Sequence, residues 1–456
     1  MGGEWQEVQL QDIVTILGDG LHGTPKYDED GEYYFINGNN LEEGRIVFRD
    51  KTKRVAHDQF VKYKKKLNDR TILVSINGTI GNVAYYNGEK IILGKSACYF
   101  NLVDGVEKGF VRYVLSGSIF QNYLHQYSTG TTIKNVSLKD MREFSFQLPS
   151  VNEQKAIAHA LGTLDDQIEL NRQMNETLEA MAQTLFKSWF VDFDPVIDNA
   201  QASGKEIPEE LRERAEARAA LGDKRKPLPE DIRSLFPDEF IYNDEMGWIP
   251  KGWEVAPLSK ITTELRRGIS PKYIEKGGVR VVNQRCIRNH EIDYTLTRLN
   301  DETKRKVDGR LLEKGDLLIN STGVGTLGRM AQVHTLSEPT VVDSHVTVAR
   351  ANKNKYLPYT FARMMLSLEP YVEEMGEGTT GQTELSRKNL AQLQVIVPPV
   401  KTQENAEKYF YELYHKASLN IKNSSTLSLA RDTLLPKLLS GELRIPDAEK
   451  MVEEVV

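Results

Sequence analysis

The sequence predicts an α+β chain in which two pseudo-symmetric mixed α/β units are separated by two long antiparallel coiled-coil helices. The first observation behind this is an internal repeat. Trp5–Ile13 returns as Trp253–Ile261, Gly78–Ala84 as Gly325–Ala331, Gly130-Thr131-Thr132 as Gly378-Thr379-Thr380, and Pro149-Ser150-Val151 as Pro398-Pro399-Val400, all at an offset of 247 to 249 residues. The second is that each repeat runs into a sustained heptad pattern, the mark of a long packed helix.

Residues 1–150 form the first mixed unit. Thr71–Ile76 and Lys90–Leu93 are β-branched runs bounded by Asn77-Gly78 and Asn87-Gly88, so they read as strands between turns. Phe110, Val114, Leu115 and Ile119 fall at helical spacing, which predicts a helix over Gly109–Gln126. Residues 151–192 are the central long helix. Its seam is Ile157, Leu161, Leu164, Ile168, Leu178, Ala182, Leu185 and Trp189, with Asn171 and Asn175 also on it. At 1.5 Å per residue the helix spans roughly 55 Å, and the seam asparagines cost stability while fixing register. Residues 193–247 are a linker with a charged helical run, Glu206–Arg218, punctuated by Pro195, Pro208, Pro227, Pro229 and Pro237. It is too long for a turn and is expected to lie along the helices or meet a partner.

Residues 248–400 repeat the first scheme, with strands at Leu317–Ile319 and His345–Arg350 and a helix over Tyr356–Glu374. Residues 401–443 form the second long helix, striped by Phe410, Leu413, Ala417, Ile421, Leu427, Leu434 and Leu438 and ended by Pro436 and Ser440-Gly441. Residues 444–456 are a tail. The helical scaffold is expected to rest on Leu161, Leu164, Ile168, Leu178, Leu185, Phe410, Ile421, Leu434 and Leu438. A pseudo-dyad between the repeats makes the two helices antiparallel, with one unit at each end.

Bulk composition places the chain among ordinary cytoplasmic globular proteins: 456 residues, 39% hydrophobic and 27% charged. No apolar run reaches the roughly 18 residues that span a bilayer, and no signal peptide is visible. Two lone cysteines, Cys98 and Cys286, argue against a disulfide scaffold, and the scattered histidines offer no metal-ligand spacing. The net charge of −6 is unevenly spread. Residues 51–100 hold ten basic against three acidic side chains, and residues 251–300 ten against five. Residues 151–250 hold eleven basic against twenty-one acidic. Base lies inside the repeats and acid in the connecting segment, so the repeats are the surfaces suited to a polyanion. Alone, Lys62-Tyr63-Lys64-Lys65-Lys66 would read as a solvated face.

Gly323–Gly328 matches G-x-G-x-x-G, but a strand-like Arg329–Val333 follows where a cofactor loop needs a helix, so the segment reads as a turn. The sequence lacks a Walker A motif and an Asp/Asn-Pro-Pro-Tyr/Phe segment. No catalytic residue, metal site or bound cofactor is expected. What remains are groups suited to duplex DNA. Asn and Gln read adenine edges, Arg and Lys read guanine, and Lys, Ser and Thr hold phosphates. The first unit offers Thr24, Lys26, Tyr27, then Asn37, Asn39 and Asn40, with Lys62, Lys64, Lys65, Thr131 and Thr132. The second offers Ser270, Lys272, Tyr273, then Asn283, Gln284, Arg285 and Arg288, with Thr379 and Thr380. A shared frame with unlike readers is what a target with two unequal halves requires.

The chain resembles the specificity subunits of Type I restriction–modification systems. The resemblance rests on Gly20–Tyr27, Tyr33–Asn40, Gly130-Thr131-Thr132, Leu148-Pro149 with Glu153-Gln154, Leu185–Pro195, Ile249–Trp253 and Leu434–Gly441. It departs at Thr402-Gln403-Glu404, where the family repeats a Glu-Gln pair. The resemblance implies that 1–150 and 248–400 are target-recognition domains for a bipartite asymmetric DNA site. It implies partners as well: double-stranded DNA, two adenine methyltransferase subunits and, in some systems, two restriction subunits, with no membrane. S-adenosylmethionine is expected on the methyltransferase partner. Two rival readings stand beside it: a methyltransferase with a fused recognition domain, and a stand-alone DNA-binding regulator.

Overall fold

A four-stranded antiparallel sheet forms the frame of each repeat. The computed structural model describes residues 5–42, 44–130, 134–323, 325–377 and 383–453. The chain divides into two units, residues 1–172 with 421–456, and residues 173–420. In the first unit the sheet order is Val14–Asp19, Ala97–Leu102, Thr71–Ser75, Val83–Tyr85. Thr71–Ser75 is buried on both faces, as a continuous apolar run requires. Strand alternation sends Ile72 and Val74 into a core with Phe100 and Phe110, and Leu73 into a second core with Ile36, Leu41 and Tyr99. A smaller sheet pairs Tyr33–Ile36 antiparallel to Arg54–Val55 and parallel to Ile91–Leu93.

The second unit repeats the order: Thr262–Arg267, Val346–Ala351, Leu317–Asn320, Met330–Gln332. Leu317 and Ile319 enter one core and Leu318 the other. Val279–Val282 runs parallel to Thr340–Val342, the counterpart of the first unit's parallel pair. The segment after Gly328 is the strand Met330–Gln332, so the glycine-rich loop is a turn between strands. Each single helix expected beside a sheet is two. Gly117 separates Lys108–Ser116 from Ser118–Tyr127, and Leu368 separates Pro358–Ser367 from Glu369–Glu374.

The long helices run over Val151–Phe186 and Val400–Leu439. In the first unit Leu161 and Leu164 share a core with Leu427, Leu434 and Leu438, with Ile168 packed against it. There Asn171 Nδ2 donates to Ser424 Oγ at 3.2 Å. In the second unit Ala182 and Phe186 meet Ala406 and Phe410. Asn420 Nδ2 donates to Asn175 Oδ1 at 2.8 Å and Asn175 Nδ2 to the Ala417 carbonyl at 3.2 Å. Numbers rise on one helix as they fall on the other, so within each unit the segments are antiparallel. Two scaffold expectations need correction. Ile421 is 40% exposed, because the seam position beside it is held by Asn420, which bonds Asn175. Leu185 is only partly buried, and Phe186 takes the inner place.

One latch recurs at the foot of both helices. Gln154 Nε2 donates to the Pro149 carbonyl at 2.8 Å and its oxygen accepts from Glu107 N at 2.8 Å. Gln403, 249 residues later, donates to Pro398 at 2.7 Å and accepts from Leu357 N at 2.8 Å. The departure at residue 402 therefore leaves the latch intact. Thr402, where the first repeat has Glu153, turns its hydroxyl to the Leu235 carbonyl at 3.0 Å.

The linker is structured within the second unit. Helices Asp194–Ser203 and Glu209–Ala220 are bound by Arg214 to Asp194 and by Arg218 to Asp198, each bidentate at 2.6 to 2.8 Å. The central helix widens into a π-turn at Lys187–Val191, which brings Trp189 against Phe236 and Phe190 against Trp253. Among the described residues no helix is long and apolar enough to cross a membrane.

Candidate nucleic-acid interface

In both repeats the first candidate loop leaves the sheet at a glycine that touches backbone. A Cβ on Gly20 would lie 2.2 Å from the Leu93 carbonyl oxygen, and one on Gly268 2.0 Å from that of Val342. Only glycine permits this approach. The loop then carries exposed Thr24, Lys26 and Tyr27, and in the second unit exposed Lys272 and Tyr273. Tyr273 holds the Arg298 guanidinium 3.5 Å from its ring centroid, a stacked cation at the surface. Lys62 and Lys64 are exposed at the end of helix His57–Tyr63, and Lys65 is half-buried just beyond it.

The polar turns after these loops divide into framing residues and free ones. Asn40 is only 6% exposed, and its Nδ2 donates to the Val47 carbonyl at 3.0 Å and to Thr52 at 3.3 Å. Asn283 Oδ1 caps the next turn by accepting from Arg285 N at 2.9 Å. Both therefore build the turn, and neither presents a free amide for a base. Asn39, Arg285 and Arg288 are exposed, and Asn37 is half-buried.

The structure brings further side chains to these turns. In the first unit Ser96 donates to Asn37 Oδ1 at 3.0 Å, and Asn77 Nδ2 donates to Asn135 Oδ1 at 3.0 Å. In the second unit Thr322 Oγ1 lies 3.1 Å from Gln284 Oε1 and 2.8 Å from His345 Nδ1. Ser96 and His345 occupy corresponding places, as do Asn77 and Thr322, at the ends of equivalent strands. The repeat offset of 249 was an available signal for Ser96 and His345, whereas Asn77 and Thr322 lie 245 apart and are matched only by the paired strands. Thr131, Thr132, Thr379 and Thr380 lie outside the described residues.

Behind each turn an arginine, partly buried in the first unit and sealed in the second, joins the sheet unit to the long helices. Arg112 Nη1 meets Asp165 Oδ2 at 2.7 Å, Tyr113 donates to the same oxygen at 2.6 Å, and Arg431 Nη1 reaches Asp165 Oδ1 at 2.8 Å. Burial works to raise the Asp165 carboxyl, but these three partners hold it below the ordinary carboxylate range. The corresponding Arg363 is 2% exposed and meets Glu179 at 2.8 Å. Its guanidinium also sits 5.0 Å from the Tyr414 ring centroid. Burial opposes ionisation of Glu179 too, yet His290 and Arg363 bring it down to about 2. His334, stacked on Tyr414 at 4.6 Å, is depressed to about 4 by burial and by Arg363.

Comparison with known proteins bears on this frame. Residues 2–180 match the family model described as the Type I restriction modification DNA specificity domain. The MjaIX specificity subunit of Methanocaldococcus jannaschii is 24% identical over 97% of this chain and 94% of its own length. The chain is similar to the specificity subunits of Type I restriction–modification systems. The EcoKI specificity subunit of Escherichia coli K12 is likewise 24% identical, over 91% of this chain and 84% of its own. The S subunit from M. genitalium shares the fold, with a TM-score of 0.54 at 19% identity over 95% of this chain and 96% of that one. Among the described residues no cluster of three His, Cys, Asp or Glu could hold a metal ion.

Proposed function

We propose that this chain reads a bipartite, asymmetric DNA target for a Type I restriction–modification complex and scaffolds its methyltransferase subunits. One observation carries the reading. At equivalent places on the same frame, the first repeat presents Asn77 and Ser96, and the second Thr322 and His345, while the turn beside them carries Gly38 in the first and Gln284 in the second. Unlike donor and acceptor sets on like frames select unlike base patterns. The exposed Thr24, Lys26, Tyr27, Lys62, Lys64, Lys272 and Tyr273 suit phosphate contacts, which position without specifying. Arg285 and Arg288 suit guanine edges.

In this reading the chain works in the cytoplasm and the methyl transfer belongs to the partner, which brings S-adenosylmethionine and acts on an adenine in each half-site. Two such partners, and two restriction subunits where the system has them, complete the complex. The test is an exchange. Residues 1–148 are replaced by the corresponding segment of a relative, the chain is co-expressed with its methyltransferase, and methylated bases are sequenced. One half of the motif should change and the other stay. Alteration of both halves would overturn the two-reader model. Methyl incorporation by the purified chain alone would favour a fused methyltransferase, and tight sequence-specific binding with no partner recovered would favour a regulator.

A further inference from the structure

Arg285 precedes, and Arg288 belongs to, a small hairpin, Ile287–Arg288 paired with Glu291–Ile292. Its turn is Asn289-His290, with φ of +50° and +62°. Two left-handed residues in succession give the turn whose twist suits a two-residue hairpin. Asparagine tolerates that conformation, and glycine is favoured at the second place. Histidine is not, because its Cβ crowds the backbone.

What holds His290 there is visible on both sides of its ring. Nδ1 lies 3.7 Å from Glu179 on the central helix, and Nε2 lies 3.2 Å from Glu369 at the start of helix Glu369–Glu374. Arg363 approaches through Glu179, and Glu291 of the hairpin itself is the remaining acid nearby. The first repeat ties its equivalent hairpin differently. The residue corresponding to His290 is Gly44, φ +84°, and a Cβ there would stand 2.9 Å from Arg112 Nε. The next residue, Arg45, pairs with Glu169 on the central helix at 2.5 Å. Both repeats therefore fasten this hairpin to the same long helix, through unlike side chains.

We propose that His290 is a positioning residue of the second reader: it fixes the hairpin carrying Arg288, and the adjacent Arg285, to the central helix, and base discrimination in one half of the target depends on that tie. The inference rests on the second repeat being a DNA reader. A protonated ring satisfies both carboxylates, and Glu179 and Glu369 raise its pKa to about 9. The tie is therefore complete below the ordinary histidine range and is lost as pH rises through about 9.

The test uses the full chain co-purified with its methyltransferase, binding DNA targets altered in the first or in the second half. His290→Gly keeps a favourable turn and removes the cation. Discrimination in the second half should fall about tenfold, the scale of one lost base contact. Discrimination in the first half should hold, and the melting temperature should fall only as far as it does in the wild type above pH 9. His290→Lys should restore much of the loss and keep it above pH 9, where the wild type fails. Should His290→Gly not fold, Glu369→Gln provides the same readout by removing one carboxylate. Unchanged second-half discrimination in a folded variant overturns the proposal, as does an equal loss in both halves. A wild type indifferent to the second half would instead overturn the reader assignment.

Discussion

The arginine behind each polar turn is the same residue placed in two different settings. Arg112 and Arg363 fall at matching places in matching helices, Lys108–Ser116 and Pro358–Ser367. In the first unit the anion comes from Asp165. The position 249 residues on is Tyr414, which has no charge to offer and gives its ring face instead. The anion of the second unit comes from the other long helix, as Glu179, and His290 joins it. The difference teaches that the frame requires a neutralised arginine at this joint and leaves open which helix supplies the acid. It also separates the two joints in burial. The Arg112 side chain keeps 13% exposure and its acid has a second cation in Arg431, whereas Arg363 is sealed, with Nε and Nη2 unpartnered among the described residues.

The largest expected effect tests the scaffold both joints rest on. Leu164→Asp buries an unpaired carboxylate in the helix pair and should cost about 4 kcal/mol in chemical denaturation, with loss of the methyltransferase from pull-downs. Ile421→Asp, on the exposed side of the partner helix, should change stability by no more than about 0.5 kcal/mol. Equal effects would place Ile421 in the seam after all.

Breaking the two joints should hurt unequally. Glu179→Gln leaves Arg363 charged in a sealed site and should cost about 3–5 kcal/mol. Asp165→Asn leaves Arg112 and Arg431 closer to water and should cost about 1–2 kcal/mol. The two denaturation midpoints decide it, and the reverse order would mean that exposure does not govern the joints. Gly44→Ala sharpens the same contrast. It forces a side chain into a left-handed backbone beside Arg112 and should cost about 1–3 kcal/mol, again read by denaturation.

pH separates the units further. His334 sits at about 4 in the folded chain, below its ordinary 6.5, so the unfolded state takes the proton first and stability falls as pH drops from 6.5 toward 4. His290 has the opposite sign, and its contribution fades as pH climbs from 6.5 through about 9. Melting followed by probes in the second unit should peak between those limits, and His334→Phe should flatten the acid side. The smallest effect is on affinity. Lys64→Ala should weaken binding to every DNA sequence alike and lower the salt slope by about one, because a phosphate contact carries no base information. A change of preferred sequence would promote Lys64 from phosphate contact to reader.

The repeat, the sheet strands and the long antiparallel helices were all legible in the sequence, since each leaves a local pattern along the chain: landmarks at a near-constant offset, β-branched runs bounded by turns, and a seam at period 3.5. Even the asparagines of the seam could be foreseen, because any residue on a heptad seam must face the partner helix. Tertiary structure alone decided what each polar side chain does. Asn37 and Asn40 sit three residues apart in one turn, yet one remains partly open and the other is buried among Val47 and Thr52. Ser96 and His345 reach the polar turns from distant strands, and Arg363 meets an acid 184 residues away. A buried charge or amide is satisfied by whatever group the fold brings within hydrogen-bond reach, and that proximity in space leaves no periodic trace in the order of residues.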